Sequence, residues 1–166
     1  TASLPPRFRT RKSLGQHHLV DGLVLGRILA AAELTEEDVI LEVGPGLGML
    51  TRELVKRVSR VVAVEIDPRL AADLPSRLGY PANLTTVEAD ARSMDIASLV
   101  GNEAGYKVVA NLPYYAANPI VRRLLEAEPK PRLMVLMLQQ EVARVMVAEP
   151  GWMRLLSVAT QYYAQP

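Results

Sequence analysis

Val39-Ile40-Leu41-Glu42-Val43-Gly44-Pro45-Gly46-Leu47-Gly48-Met49 runs from a short apolar segment through a glycine turn into a helical pattern. Val39–Val43, short and rich in β-branched residues, reads as a buried strand. Glycines at 44, 46 and 48 let the chain turn sharply and let a ligand approach the backbone with no Cβ in the way. The next stretch, Met49–Arg57, has the spacing of a helix. A dinucleotide fingerprint, G-x-G-x-x-G, would need glycine where Met49 stands, so the spacing here is G-x-G-x-G instead.

Outward from this turn the same unit recurs. Val61–Val64 is a second apolar strand, followed by a helix over Pro68–Leu78, whose first turn suits a proline that lacks an N–H. Leu84–Glu88, Lys107–Ala110 and Leu133–Leu138 read as further strands, and Asn118–Glu126 and Gln140–Ala148 as helices. Leu155–Tyr163, apolar with β-branched and aromatic residues, reads as a sixth strand. Upstream, apolar residues at Leu19, Leu23, Val24, Ile28, Leu29 and Ala32 predict an amphipathic helix over Leu19–Leu34. Alternating strands and helices of this size predict an α/β fold, a doubly wound, mostly parallel sheet with helices on both faces. In such sheets ligands lie outside the carboxyl ends of the strands, here just after Val43, Val64, Ala89 and Ala110.

Composition sets the outer limits. The chain has 166 residues, 49% hydrophobic and 22% charged, which fits one domain with a well-buried core. No apolar run approaches the ~20 residues of a membrane span, so no membrane partner is expected. Residues Thr1 to Pro6 lack the layout of a secretory signal. Without cysteine there are no disulfides or thiolate metal sites, and the expected location is cytoplasmic. His17 and His18 are the only histidines and, being adjacent, chelate poorly, so no metal is expected. The net charge is only +1, but Arg7, Arg9, Arg11 and Lys12 crowd together and no acidic residue precedes Asp21. Residues 1–18 form a basic arm able to contact phosphates, ahead of a ligand-binding domain over 19–166.

The predicted strand ends carry the chemistry. Glu65 closes the second strand, where a carboxylate can accept both hydrogen bonds of a ribose diol. Asp90 follows the third, placed either to accept from an adenine amino group or to cap the helix after it. Asn111-Leu112-Pro113-Tyr114-Tyr115 follows the fourth. The lone pair of an aromatic amine such as adenine N6 is delocalised into its ring. The Asn111 side-chain oxygen and a backbone carbonyl of the turn can accept the amino hydrogens and aim that lone pair at an incoming methyl group. Pro113 fixes its own φ and restricts Leu112, holding both acceptors in place. Tyr114 offers a face on which an extruded base stacks. With a sulfonium methyl donor, direct displacement requires neither metal nor covalent enzyme intermediate.

These stretches resemble the small-subunit ribosomal RNA adenine N6-dimethyltransferases, the kasugamycin-resistance family. The likeness lies in Lys12–Leu19, Glu42–Gly48, Glu65–Asp67, Glu88–Ala91, Asn111–Tyr115, Gln140–Ala143 and Leu156–Val158, which occur in family order along nearly the whole chain. The resemblance implies a Rossmann-like class I methyltransferase fold that binds S-adenosyl-L-methionine. It implies that Gln16, His17 and Leu19 line the cofactor site, that Gly44 and Gly46 form its floor, and that Glu65 holds the ribose and Asp90 the adenine. Ile66 and Ala91 flank those two carboxylates, and Asn111 faces both cofactor and target. Asn111, Leu112, Pro113 and Tyr114 would take the base, with Arg7, Arg9, Arg11, Lys12 and Tyr114 on RNA. The implied substrate is a pair of adjacent adenosines near the 3′ end of small-subunit ribosomal RNA, in the RNA or a pre-ribosomal particle, methylated by a monomer. The family continues beyond the position of Pro166 with a proline-rich segment, a final antiparallel strand and a small helical domain. The methyltransferase domain is therefore expected to be truncated at its C-terminus.

Four other functions share parts of this pattern. A large-subunit ribosomal RNA adenine methyltransferase has the same chemistry, though Gly15 before Gln16 and Leu112 between Asn111 and Pro113 lean away from it. A non-catalytic nucleic-acid binder of the same descent, such as a mitochondrial transcription factor, has no need of Glu65, Asp90 and Asn111 together. A dehydrogenase is disfavoured by Met49. A DNA adenine methyltransferase fits the chemistry of the Asn111 turn, which does not read the sugar.

Overall fold

The computed structural model describes residues 21–101 and 105–166. Five strands form one parallel sheet: β1 (Val39–Val43), β2 (Arg60–Glu65), β3 (Leu84–Glu88), β4 (Lys107–Asn111) and β5 (Leu133–Met137). Their order across the sheet is β3-β2-β1-β4-β5. The chain first winds outward from β1 in one direction, then crosses back to continue from β1 in the other. This reversal opens a crevice between the carboxyl ends of β1 and β4, the point where open α/β sheets bind ligands.

The strands are apolar on both faces because helices cover both. Successive residues alternate sides. Leu41, Val43, Val62, Val64, Val108 and Ala110 meet one core, which includes Ile120, Val121 and Leu124 of α5 (Ala117–Leu125). Ile40, Val61 and Val109 meet the other, with Ile28 of α1 (Gly22–Ala31) and Leu50 and Leu54 of α2 (Met49–Leu54). Between β2 and β3, α3 (Pro68–Arg77) starts at Asp67, whose side chain accepts from the Arg69 amide, with Pro68 in its first turn.

Several predicted elements need correction. Leu155–Tyr163 is not a sixth strand but a helix, α7, which packs on α5 and on α6 (Gln140–Met146). Its β-branched and aromatic residues favour strand, yet burial follows a helical period, with Ser157 and Thr160 inside while Leu155, Val158 and Tyr162 face out. Ser157 fixes the start of the helix, its Oγ accepting from the Arg154 amide at 3.0 Å and donating to the Val145 carbonyl at 2.5 Å. Tertiary contact overrides propensity here. The first helix stops at Ala31 rather than Leu34, because Glu33 turns to positive φ and the carbonyls of Ala32 and Glu33 are taken by Lys107 Nζ. Residues 19 and 20 of that predicted helix lie outside the described residues. A short helix, α4 (Ile96–Val100), goes unannounced in the sequence because one turn is too brief to show periodicity. Asp95 caps it, so Asp90 is not the cap of the helix that follows.

Candidate active site

The carboxyl ends of β1, β2, β3 and β4 open into one cleft with about 940 Å³ of free space, part of it continuous with solvent. Its floor is the turn after β1. Gly44, Gly46 and Gly48 all adopt positive φ, at 72°, 57° and 81°, which explains the alternate-residue spacing. A Cβ at Gly44 would lie 3.5 Å from the backbone carbonyl oxygen of Asn111, an ordinary contact, so the positive φ rather than crowding calls for glycine there.

Glu65 ends β2 buried beneath this turn. Its Oε2 accepts from the Gly46 amide at 3.1 Å and its Oε1 from the Asp67 amide at 3.0 Å. Two backbone donors therefore set the carboxylate's orientation, while a carboxylate's roughly four acceptor positions leave room for further donors. Glu42, on β1, is the second acid of the floor. Burial pushes its carboxyl up from 4.5 to about 8, opposed by Thr51 beside it and reinforced by the charge of Glu65. Glu42 Oε2 is buried without a hydrogen-bond partner. Burial thus disfavours a negative charge on Glu42 in the floor of the cleft.

Asp90, one strand further, forms an Asx-type turn. Its Oδ1 accepts from the Arg92 amide at 2.9 Å, and Arg92 also brings its guanidinium onto both carboxylate oxygens. The Arg92 guanidinium and amide hold Asp90 below the usual carboxylate range against a modest opposing effect of burial.

After β4, Leu112 is buried and its amide donates to the Met137 carbonyl at 3.2 Å, tying the Asn111 turn to β5. The Ala116 amide donates to the Pro113 carbonyl at 3.1 Å, closing the turn ahead of α5. Asn111, Leu112 and Pro113 all line the cleft, as do Gly44, Gly46, Glu65, Ile66, Asp90 and Ala91. Tyr114 does not; Tyr115 takes that place in the wall. Arg7, Arg9, Arg11, Lys12, Gln16, His17 and Leu19 lie outside the described residues. Glu42, Arg92 and Tyr115 were not singled out from the sequence. Glu42 and Tyr115 lie within motifs and Arg92 directly after one, and only the fold shows that their side chains line the cleft. Among the described residues, no group of acidic or histidine side chains could hold a metal ion, and no helix is long and apolar enough to cross a membrane.

A family model for ribosomal RNA adenine dimethylases matches residues 7–166. The chain belongs to that family. A ribosomal RNA small subunit methyltransferase A from Dehalococcoides mccartyi is 46% identical over 159 residues, covering 96% of this chain and 55% of that protein. One from Clostridium perfringens is 41% identical over 158 residues, covering 94% and 55%. The fold is the Rossmann-like one of class I methyltransferases. A dimethyladenosine transferase from Plasmodium falciparum superimposes with a TM-score of 0.76 at 29% identity, covering 87% of this chain and 52% of that one. The 23S rRNA methyltransferase ErmE gives 0.71 at 35% identity, covering 84% and 55%. This member of the dimethylase family thus spans about half the length of the curated relatives it matches.

Proposed function

We propose that the full-length protein transfers methyl groups from S-adenosylmethionine to N6 of two adjacent adenosines near the 3′ end of small-subunit ribosomal RNA, in the cytoplasm. The observation that carries this reading is the convergence of the Asn111 turn with the Gly44–Gly48 turn, Glu65 and Asp90 on one cleft. The residues present suit the cofactor. A glycine turn at positive φ admits close approach, and carboxylates at two successive strand ends offer acceptors for a ribose diol and an adenine amino group. The family likeness, which spans residues 7–166, extends to Gln16, His17 and Leu19, proposed as further cofactor contacts, and to Arg7, Arg9, Arg11 and Lys12, proposed as phosphate contacts. When bound, S-adenosylmethionine supplies a methyl group activated on a sulfonium.

The chain's own residues do the rest. Glu65, anchored by two amides, holds the ribose, and Asp90 accepts from the adenine, with Ile66 and Ala91 as their apolar neighbours. Asn111 accepts one amino hydrogen of the target adenine and a turn carbonyl accepts the other. The buried side chain of Leu112 and the ring of Pro113 keep those acceptors rigid, so no reorganisation is needed as charge develops on the nitrogen. Tyr114, exposed at the turn, offers the stacking face for the base.

The test is an Asn111→Ala variant of the full-length protein. Transfer of labelled methyl groups to small-subunit RNA should fall by about 10²–10³-fold, the range for loss of one preorganised polar group. The dissociation constant for S-adenosylmethionine should stay within about twofold, since the lost acceptor serves the reacting amine. Equal losses in both would make Asn111 a cofactor or structural residue. Parent protein that methylates large-subunit RNA and ignores small-subunit RNA would favour the ErmE-like reading instead.

A further inference from the structure

The contact between Asp90 and Arg92 bears on how tightly the cleft takes its cofactor. The carboxylate of Asp90 lines the cleft, and so does Arg92. Oδ1 accepts from the Arg92 amide at 2.9 Å and from Arg92 Nε at 3.0 Å. Oδ2 accepts from Nε at 3.0 Å and from Nη2 at 2.5 Å. A carboxylate has about four acceptor positions, so a single residue covers nearly all that Asp90 has. The amide contact belongs to the local turn and is fixed. The guanidinium contact is not. Both side chains are partly exposed, and such pairs are weak and screened by salt. Among the described residues, Asp90 is the carboxylate that pairs with Arg92, and Tyr115 lines the same cleft as both.

We propose that Arg92 is a built-in competitor at the adenine end of the cleft. Its guanidinium and the 6-amino group of an adenosine require the same acceptor positions on Asp90, so the arginine must swing aside before the adenine is held. Arg92 thereby lowers cofactor affinity and makes it depend on ionic strength. Salt loosens the pair and opens Asp90 to the adenine. The inference rests on the assignment of Asp90 to the adenine amino group.

Titration of the full-length protein with S-adenosylhomocysteine at about 20 mM and about 500 mM NaCl tests it. Arg92→Ala should bind about two- to fivefold tighter than the parent at low salt, the range over which exposed ion pairs act. That advantage should shrink toward none at high salt. Arg92→Ala binding equally or more weakly at low salt overturns the proposal. A weaker variant would mean that the guanidinium is itself a cofactor contact. Asp90→Ala separates the two layers. If it weakens binding while Arg92→Ala fails to strengthen it, competition is refuted and the adenine assignment stands. If Asp90→Ala leaves affinity unchanged, the adenine assignment itself has failed.

Discussion

At the amino-terminal end of the sheet, Lys107 is 1% exposed and each of its three protons is spoken for. Nζ donates to the Ala32 carbonyl at 3.0 Å, the Glu33 carbonyl at 2.5 Å and Asp38 Oδ2 at 2.8 Å. Asp38 also accepts from the Thr35 amide at 2.7 Å and faces Arg132 at 3.5 Å. The carboxyl-terminal end of the same strands is arranged in the opposite way. Glu42 keeps an orphan buried oxygen, Glu65 is held by amides yet offers further acceptor capacity, and Asp90 is covered only by an exposed arginine. One end of the sheet matches its charges internally and binds the fold together; the other carries a surplus of acceptors that an added molecule can use. Buried charges are normally paired, and a carboxyl oxygen left without a partner beside a cleft is open to a bound molecule.

The comparison breaks first at the satisfied end. Lys107→Met should lower unfolding free energy by about 3–5 kcal/mol, because Asp38 is left as a buried charge without its main partner. Urea denaturation measures it, and cofactor affinity of the folded fraction should be unchanged. A loss below about 1 kcal/mol would mean that water enters and replaces the lysine, and the contrast between the ends would lose its basis. Adding Asp38→Asn should recover part of the loss, since it removes the stranded charge.

At the open end the expected consequences reverse. Glu65→Ala should weaken S-adenosylmethionine binding by about 10- to 100-fold, in line with about 1.5–3 kcal/mol for hydrogen bonds to a charged group. Its effect on stability should be smaller than that of Lys107→Met, because the Gly46 amide it releases lines a cleft that water reaches. Calorimetric titration together with urea denaturation reads both quantities. Unchanged affinity would remove the ribose assignment.

The open end was also the more legible one. Val39–Val43 and Leu84–Glu88 have the same bounds in sequence and structure, and the glycine turn, Glu65, Asp90 and Asn111 lie at or just past strand ends, so local pattern locates them. The satisfied end was invisible, because Lys107 reads as an ordinary strand-start lysine until Ala32, Glu33 and Asp38 are folded around it. Leu155–Tyr163 failed for a related reason. Its composition favours strand, and only Ser157 docking on Val145 of the preceding helix decides otherwise. Glu42 lay inside a quoted motif with no role assigned, since neither its burial nor its missing partner is a property of sequence.

Glu42 supplies a test of the contrast that is read through pH. Its carboxyl is raised by burial to about 8 from an ordinary 4.5, so between those values the folded protein keeps a proton that the unfolded chain has released. The resulting stability is complete below about pH 4.5 and is lost as pH rises through 8. Asp38, at the other end, has the opposite sign. Burial pushes its carboxyl up, but the hydrogen bonds from Lys107 and Thr35 and the charges of Lys107 and Arg132 outweigh it and hold the group low. Its contribution is present above the ordinary carboxylate range and disappears as pH falls. Glu42→Gln keeps the shape of the neutral acid and has no proton to lose. Its melting temperature should approach the parent's toward pH 5 and exceed it increasingly as pH rises to about 8, by about 2–4 °C for each kcal/mol that the parent loses. Melting curves from pH 5 to pH 9 on both proteins decide the matter. Parallel profiles would mean that Glu42 ionises without penalty, and the floor of the cleft would then not be set apart from the other end of the sheet.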